Sequence, residues 1–277
     1  MTAPYRPFFV RLLTRRTISP GFVRITLGGD DLEHCGATLL DQRVKLVLGD
    51  PGPLAELMGA GDDWYARWQA LPNETRPALR TYTLAAVRPE RRDVDIDVAV
   101  HTRHDGPAPG LAYALEAPLG CPAVLVAPDA RVEGHDTVGV AWQPGTATDV
   151  LLVGDETALP AVLNIVTTLP ESATGRVVLE VEDIDDVRPV VTPPGVTVDW
   201  RVRSRGEQAT GVFGRVEGDP GEDEPLLWQE ADGDHGTYGW VAGEAGWVRR
   251  LRGEAKAAGV PSGQVSFMGY WRRGVAG

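Results

Sequence analysis

The first half of the chain alternates apolar and polar residues with a period of two. In FVRITLGG (22–29) the apolar side chains recur at Val23, Ile25 and Leu27, and DVDIDVAVH (93–101) repeats the pattern with acidic residues between the valines and the isoleucine. A strand with this period turns one face to a core and the other to water. We therefore predict β-strands over both segments, with the acids on the solvent side.

Further short apolar segments in this half are separated by Gly, Pro and Asp. They occupy residues 42–49, 80–87 and 121–129. Several short strands at this spacing predict an antiparallel barrel or sandwich. One short helix is predicted over 108–117, because the preceding Gly-Pro suits a helix start.

The pattern changes near residue 145. DVLLVGD (149–155) is a continuous apolar run, which is typical of a strand covered on both faces. A helix is predicted over 157–169. Further strands are predicted over 176–183, 196–203, 238–243 and 265–271, with a second helix over 245–258. Strands that alternate with helices indicate a parallel α/β sheet.

The change of pattern predicts two domains. The boundary is expected within QPGTATD (143–149), which gives domains over residues 1–144 and 145–277. The stretch 204–236 is rich in Gly, Asp and Glu, and we predict weak helix and surface loop there.

Composition narrows the functional classes. The net charge of −12 argues against a duplex-binding protein, so no nucleic-acid partner is expected. Cys35 and Cys121 lie far apart and form no CxxC pair, so we expect neither a disulfide framework nor a structural metal. No apolar run reaches the roughly 18 residues that cross a bilayer, and the N-terminus lacks the order of a secretion signal. We therefore expect a cytoplasmic protein with no membrane partner. The sequence does not indicate the oligomeric state, for which a monomer is the default expectation.

The strand segment Arg80–Thr81–Tyr82–Thr83 carries groups that suit a flavin nucleotide. Alternation places Arg80 and Tyr82 on one face. Arginine offers a forked donor to a phosphate, tyrosine a flat face to an aromatic ring, and Thr83 a hydroxyl or backbone N–H. An ordinary strand with an exposed arginine would show the same short pattern.

A second candidate segment for cofactor binding lies at the end of the predicted strand 93–101 and just beyond it. His101 ends that strand, and Gly106–Pro107–Ala108 then leads into the predicted helix. The free N–H groups of such a helix start can meet a pyrophosphate. A plain strand–turn–helix link is the alternative.

The strand–helix junction at Gly154–Asp155–Glu156 lies where α/β sheets bind ligands. Asp155 or Thr157 can cap the helix that follows. Acidic side chains there also interact favourably with the positive end of the helix dipole. The same acids repel a nucleotide phosphate, and no GxGxxG motif is present. This edge therefore lacks the usual phosphate-binding device.

Basic residues gather in the last third of the chain. Arg249, Arg250 and Arg252 lie on the helix predicted after Glu244, where they could form a solvated face paired with Glu254. The chain closes with GYWRRG (269–274), which could complete the core or line a cleft.

Together these segments resemble the siderophore-interacting protein family of FAD-dependent ferric-siderophore reductases, a branch of the ferredoxin-reductase-like flavoproteins. The matching segments, in order across nearly the whole chain, are VKLVL (44–48), Trp68, RTYT (80–83), IDVAVH (96–101), DGPA (105–108), GDETALPA (154–161), VAGEA (241–245) and GYWRRG (269–274). The resemblance implies a β + α/β architecture. Its parts would be an N-terminal antiparallel β-barrel FAD-binding domain and a C-terminal parallel α/β nucleotide-binding-like domain.

The resemblance also implies roles for individual residues. Arg80 would pair with an FAD phosphate, Tyr82 would stack near the isoalloxazine, and Thr83 would bond near its reactive edge. The residues that would run along the pyrophosphate and adenine side of FAD are Val100, His101, Gly106, Pro107 and Ala108. Asp155 and Thr157, within the segment that replaces a nicotinamide loop, would form part of the wall facing the flavin. Lys45, and more loosely Arg249, Arg250 and Arg272, would line a cationic pocket for a ferric siderophore.

The sequence departs from the family pattern at three positions. Ala85 stands where the family usually has arginine, and Pro109 and Leu111 stand where it has serine and tryptophan. Losing two or three charge-assisted hydrogen bonds would weaken FAD binding by on the order of 10²–10⁴-fold, unless other arginines compensate. The candidates for compensation are Arg88, Arg91 and Arg103.

The sequence leaves three alternative candidate functions. The first is ferric-siderophore reduction with NADH, NADPH or a ferredoxin as electron donor. The second is binding of a ferric chelate or partner without tightly bound flavin. The third is flavin-dependent reduction of other acceptors.

Overall fold

The computed structural model describes residues 4–100, 107–214, 228–231 and 236–274. Two compact units divide at Val140 and Ala141. The period-two segments of the first unit form strands, and the mixed strand–helix segments of the second form a sheet with helices, as the patterns predict.

The first unit is a closed six-stranded barrel. Its strands are β1 (Tyr5–Ser19), β2 (Phe22–Gly28), β3 (Arg43–Leu48), β4 (Ala78–Arg88), β5 (Asp93–Ala99) and β6 (Pro122–Pro128). They follow each other around the barrel in the order β1-β2-β5-β4-β3-β6, and β6 closes on β1. Every neighbouring pair is antiparallel. The predicted antiparallel barrel is thus confirmed, and closure leaves no open sheet edge.

Three helices accompany the barrel: α1 (Pro51–Met58), α2 (Trp64–Ala70) and α3 (Pro109–Glu116). Of these three helices, the sequence predicted α3, from the Gly-Pro that precedes it. The other two cover the outer side of β3 and β6, where Val47, Val124 and Val126 pack against Leu54 and Leu57. The inward apolar positions of β2 and β5 are fully buried in the barrel core, as expected.

The acids of β5 do not face water, which corrects the sequence-based expectation. Asp93, Asp95 and Asp97 are all buried. Arg24 on β2 forms a bidentate pair with Asp97 at 2.6 and 2.9 Å, and Arg88 on β4 spans Asp93 and Asp95. Neighbouring strands supply the arginines, so the sequence of β5 alone does not reveal this covering.

The second unit is a six-stranded sheet with two helices. Its elements are β7 (Asp149–Gly154), α4 (Leu159–Val166), β8 (Thr174–Val181), β9 (Gly195–Val202), β10 (Trp228–Gln229), β11 (Thr237–Glu244), α5 (Ala245–Ala257) and β12 (Val265–Trp271). The strand order is β10-β12-β11-β7-β8-β9. All pairs are parallel except β10 with β12, so the predicted parallel sheet has one short antiparallel edge strand. Among the described residues, no helix is long and apolar enough to cross a membrane.

Part of the predicted weak helix over 204–236 lies outside the described residues. The described part holds a 3₁₀ turn at Arg203–Arg205 and strand β10, without an α-helix. The segment around Val212 and Phe213 packs against the core of the second unit. Its position depends on contacts with distant strands, which local composition does not encode.

Candidate functional site

Strand β4 places Arg80 and Tyr82 on the face that also builds the barrel core. Their partners across β3 are Leu46 and Val44, both core residues, and Tyr82 packs against that core. Burial raises the pKa of Tyr82 to about 12, so its hydroxyl keeps its proton at neutral pH.

The Tyr82 hydroxyl lies against the first turn of α3 because residue 110 is a glycine. A methyl group on Gly110 would lie 1.9 Å from this hydroxyl and 3.6 Å from the Arg80 Cγ. Glycine in a helix costs up to about 1 kcal/mol relative to alanine, so a packing reason is expected where it occurs. Close approach of α3 to Arg80 and Tyr82 is that reason, and the sequence analysis missed it.

The N-terminus of α3 has two N–H donors that no described residue uses. Ala108 caps the helix in an extended conformation, and its carbonyl accepts the first helical bond, from Ala112 N–H, at 2.8 Å. Pro109 has no N–H, but the described residues offer no acceptor to the N–H groups of Gly110 and Leu111. These two N–H groups and the Arg80 guanidinium are donors of the kind that a nucleotide phosphate needs, and Tyr82 lies beside them. The residues present therefore fit a nucleotide phosphate, such as one of FAD, despite Pro109.

Other predicted cofactor residues have structural partners or lie outside the described residues. Thr83 is buried on β4, and Val100 donates its N–H to the Gly21 carbonyl at 2.8 Å. Pro107 and Ala108 lead directly into α3. The remaining predicted positions, His101 and Gly106, lie outside the described residues.

Two of the three arginines proposed to compensate for the lost phosphate donors are bound to acids of β5 instead. Arg88 is bound to Asp93 and Asp95, and Arg91 approaches Asp93 to 3.3 Å. Ala85 lies at an irregularity in the pairing of β4 with β5. The third candidate, Arg103, lies outside the described residues.

Lys45 lies on the opposite face of the barrel wall from Arg80. Its Nζ donates to Thr81 Oγ1 at 2.7 Å, and Thr81 alternates with Arg80 and Tyr82 along β4. Partial burial, together with nearby Arg43, lowers the pKa of Lys45. No carboxylate pairs with Lys45 within the described residues. A partly desolvated, unpaired cation is suited to an anionic ligand.

In the second unit, Asp155 joins the ends of three strands. Its Oδ1 accepts from the N–H and hydroxyl of Thr157 at 2.8 and 2.6 Å, which caps the turn that leads into α4. Its Oδ2 accepts from Glu244 N–H at 2.7 Å and Trp271 Nε1 at 2.9 Å, at the ends of β11 and β12. A Cβ on Gly243 would lie 2.6 Å from the Asp155 Cγ. Both carboxylate oxygens are thus committed inside this unit.

Burial and the neighbouring Glu156 carboxylate raise the pKa of Asp155 to about 6, although the donors around it oppose the shift. Between about pH 4 and 6 the folded carboxyl therefore keeps a proton that the unfolded chain has released. The contribution of Asp155 to stability falls as the pH rises through this window, by up to about 1.4 kcal/mol per pH unit.

The variant Asp155→Asn tests the direction of this pH dependence of stability. The amide costs stability at every pH, because its NH₂ group would face other N–H donors. We expect the difference in free energy of unfolding between wild type and variant, measured by urea titration, to shrink between pH 4 and 6. A difference that stays flat or grows over this window would contradict the assignment.

Glu156 and Glu180 are buried beside one arginine that follows β9. Arg203 binds Glu156 through two bonds of 2.7 and 2.9 Å, Glu180 at 3.2 Å and Glu182 at 2.9 Å. Glu180 also accepts from Trp247 Nε1 at 3.1 Å. We call Arg203, Glu156, Glu180 and Glu182 the Arg203 cluster. No sequence signal predicted it, because its members come from three strands.

Carboxylates of this chain lie at the starts of both α4 and α5. Asp155 caps the turn that leads into α4 by accepting from Thr157 N–H, and Glu244 caps α5 by accepting from Trp247 N–H at 2.8 Å. Negative charge at these places disfavours a phosphate there.

The basic residues of the last third are spread out. Arg249 lies on α5 and is half-buried, Arg250 is exposed, and Arg272 is exposed just after β12. Arg252 donates to Gln229 at 3.1 Å. The expected pairing of this face with Glu254 is wrong, since within the described residues that side chain forms no ion pair and its Oε2 is buried without a partner.

Comparison with known proteins identifies the family. A model described as "Siderophore-interacting FAD-binding domain" matches residues 11–132, and one described as "Siderophore-interacting protein" matches residues 147–274. The chain belongs to the siderophore-interacting protein family. Its barrel is therefore the part that matches an FAD-binding domain, in agreement with the groups around Gly110.

Individual members and structures support this assignment. This siderophore-interacting protein is 26% identical over 283 residues to the ferric vibriobactin reductase ViuB of Vibrio cholerae, covering 97% of the chain and 90% of that protein. The crystal structure of the siderophore-interacting protein SipS from Aeromonas hydrophila matches with a TM-score of 0.68 and 27% identity, covering 99% and 94% of the two chains. The Amycolatopsis cytochrome P450 reductase GcoB, at 15% identity and a TM-score of 0.61 over 98% and 72% of the chains, shares the fold.

Proposed function

We propose that this siderophore-interacting protein is an FAD-dependent ferric-siderophore reductase. The observation that carries the proposal is the convergence around Gly110 of Arg80, Tyr82 and two N–H groups of α3 that no described residue uses. The barrel (1–144) would hold FAD, and residues 145–277 would form the reductase domain. The name of the relative ViuB supports the reaction.

The residues of the barrel would bind and orient the cofactor. The Arg80 guanidinium and the Gly110 and Leu111 N–H groups would neutralise a phosphate, and Tyr82, held by α3, would limit where the ring system lies. When bound, FAD supplies the redox chemistry, because a flavin takes up electrons in pairs and can pass them on singly. The chain supplies binding, position and charge.

Lys45 would attract the substrate. Siderophores hold Fe(III) through hard oxygen donors, and Fe(II) is held more weakly by the same donors, so reduction releases the iron. Ferric siderophores are often anionic. A cation that no described carboxylate neutralises, on an otherwise acidic chain, therefore suits them.

The electron donor would be NADH, NADPH or a ferredoxin. The carboxylates of Asp155, in the turn before α4, and of Glu244, at the cap of α5, favour a donor whose phosphates are not held at those helix starts. Rates of anaerobic flavin reduction by NADH, NADPH and reduced ferredoxin, measured side by side, would identify the donor.

The second candidate is a protein that binds a ferric chelate without retaining flavin. It is favoured by Ala85 and by the ion pairs that hold Arg88 and Arg91 away from a phosphate. The absorption spectrum after FAD addition and desalting separates the two. Retained bands near about 375 and 450 nm support the reductase, and their loss supports the binding protein. Reduction of dyes with no response to ferric siderophore would indicate the third function.

Arg80→Ala and Lys45→Ala are expected to act on different steps. Loss of the Arg80 charge should weaken FAD binding about 10- to 100-fold, because one charge-assisted hydrogen bond is lost. Lys45→Ala should leave FAD affinity unchanged and raise KM for ferric vibriobactin about tenfold. FAD titration by fluorescence and Fe(II) capture by a chromogenic chelator measure the two steps.

Arg67→Ala, an exposed charge change on α2, is the matched control. It should change neither value. Equal effects of the Lys45 and Arg67 variants on KM would refute the substrate role of Lys45.

A further inference from the structure

Lys45 on β3 and Thr81 on β4 are cross-strand neighbours on the face of the barrel wall that points away from the core. The strand register pairs them directly, and the Lys45 Nζ donates to the Thr81 Oγ1 at 2.7 Å. An ammonium group has only donors, so the Thr81 oxygen accepts in this bond. The hydrogen of the Thr81 hydroxyl is then left to donate, and no described residue accepts it. We call these two residues the Lys45–Thr81 pair.

The Lys45–Thr81 pair combines one positive charge with donors that no described residue uses. These donors are the remaining N–H groups of the Lys45 ammonium and the O–H group of Thr81. An ionised oxygen accepts several hydrogen bonds, and hydrogen bonds between charged partners are stronger than those between neutral ones. The pair therefore matches an anionic oxygen better than a neutral ligand.

Thr81 also restricts the lysine side chain before a ligand arrives. A lysine loses conformational entropy when a ligand immobilises it. The hydrogen bond to Thr81 already holds the ammonium group in the folded protein, so less freedom remains to be lost on binding. Thr81 thus positions Lys45 as well as adding a donor.

The electrostatic surroundings of Lys45 favour an anion. Burial and the charge of Arg43, two positions earlier on β3, lower the pKa of Lys45, because both make its positive charge costly. An anion beside the ammonium group would offset this cost. Lys45 is half-buried and Thr81 is exposed, so a ligand can reach the pair from solvent.

The pair lies on the strand segment that also carries the candidate cofactor residues. Thr81 stands between Arg80 and Tyr82 on β4, and neighbouring Cα atoms are about 3.8 Å apart. A ligand at the pair would therefore lie against the same short segment, on its other face.

We propose that Lys45 and Thr81 form one subsite for an anionic oxygen of the ferric siderophore, in which Thr81 positions the ammonium group and donates a second hydrogen bond. The inference rests on the proposed function, because the ferric siderophore is the substrate assigned there. It makes Thr81 a residue that selects anionic ferric chelates.

Direct binding and turnover of ferric vibriobactin test the subsite. Binding to the full chain is measured by quenching of intrinsic fluorescence, with FAD present and no electron donor, and turnover by Fe(II) capture. Thr81→Val removes the hydroxyl and should raise Kd and KM about tenfold, with kcat and FAD affinity unchanged. Thr81→Ser keeps the hydroxyl and should stay within about threefold of wild type. In a Lys45→Ala background, Thr81→Val should raise Kd by less than about threefold, since the ammonium that Thr81 positions is gone.

Thr197→Val is the matched control, because it makes the same change at an exposed threonine of β9. It should leave Kd and KM unchanged. The subsite is overturned if wild type does not bind ferric vibriobactin, if Thr81→Val binds it as tightly as wild type, or if Thr81→Ser binds it as weakly as Thr81→Val. Binding that depends on Thr81 without release of Fe(II) would support the subsite and contradict only the proposed reduction.

Discussion

Gly110→Ala is expected to weaken FAD binding by at least about 100-fold. The new methyl group would lie 1.9 Å from the Tyr82 hydroxyl, a separation that no real contact tolerates. Either α3 moves away and withdraws its N–H groups, or Tyr82 moves from its place between α3 and the barrel core. Both changes disrupt the same candidate phosphate site. Fluorescence titration of the apoprotein with FAD measures the loss.

Removing the Tyr82 hydroxyl should restore FAD binding to the Gly110→Ala variant. In Tyr82→Phe combined with Gly110→Ala, the nearest obstacle becomes the ring carbon Cζ, at 3.1 Å, which a small shift accommodates. We expect the double variant to recover most of the FAD affinity, and Tyr82→Phe alone to stay within a few-fold of wild type. If the double variant binds FAD no better than Gly110→Ala, steric contact with Tyr82 is not the cause, and the assigned geometry is wrong.

Arg203→Leu is expected to lower the free energy of unfolding by about 3–5 kcal/mol. The arginine is the shared partner of Glu156 and Glu180, which are both buried. Its removal leaves two buried carboxylates close together without a cation, and such charges cost far more than an exposed pair contributes. Urea unfolding at pH 7.5 measures the change.

Two companion variants test the cause. Arg201→Leu removes an arginine from the more exposed pair with Asp199, which also binds Arg176, and should cost less than about 1 kcal/mol. Adding Glu156→Gln to Arg203→Leu removes one of the stranded charges and should restore part of the stability. A loss with Arg203→Leu no larger than that with Arg201→Leu would show that the buried carboxylates do not depend on Arg203.

The order of elements and much of the candidate site could be predicted before the structure was known. Alternating apolar residues in 22–29 and 93–101 predict strands because a pleated strand buries every second side chain. The continuous run before Asp155 predicts a strand covered on both faces. Arg80 and Tyr82 were assigned to one face by the same alternation, and β4 bears out that placement. Such patterns are local, so a single segment carries them.

Contacts between distant segments could not be predicted in this way. Arg24 covers the acids of β5 across 73 positions of sequence, and Arg203 meets Glu156 across 47. Gly110 looks like an unfavourable helix residue until the Tyr82 hydroxyl is seen against it. The amino-acid pattern thus determined which segments become strands and helices, since that choice follows from local burial. Which charges are neutralised, and which groups meet at the candidate phosphate site, depended on the pairing of strands far apart in the chain.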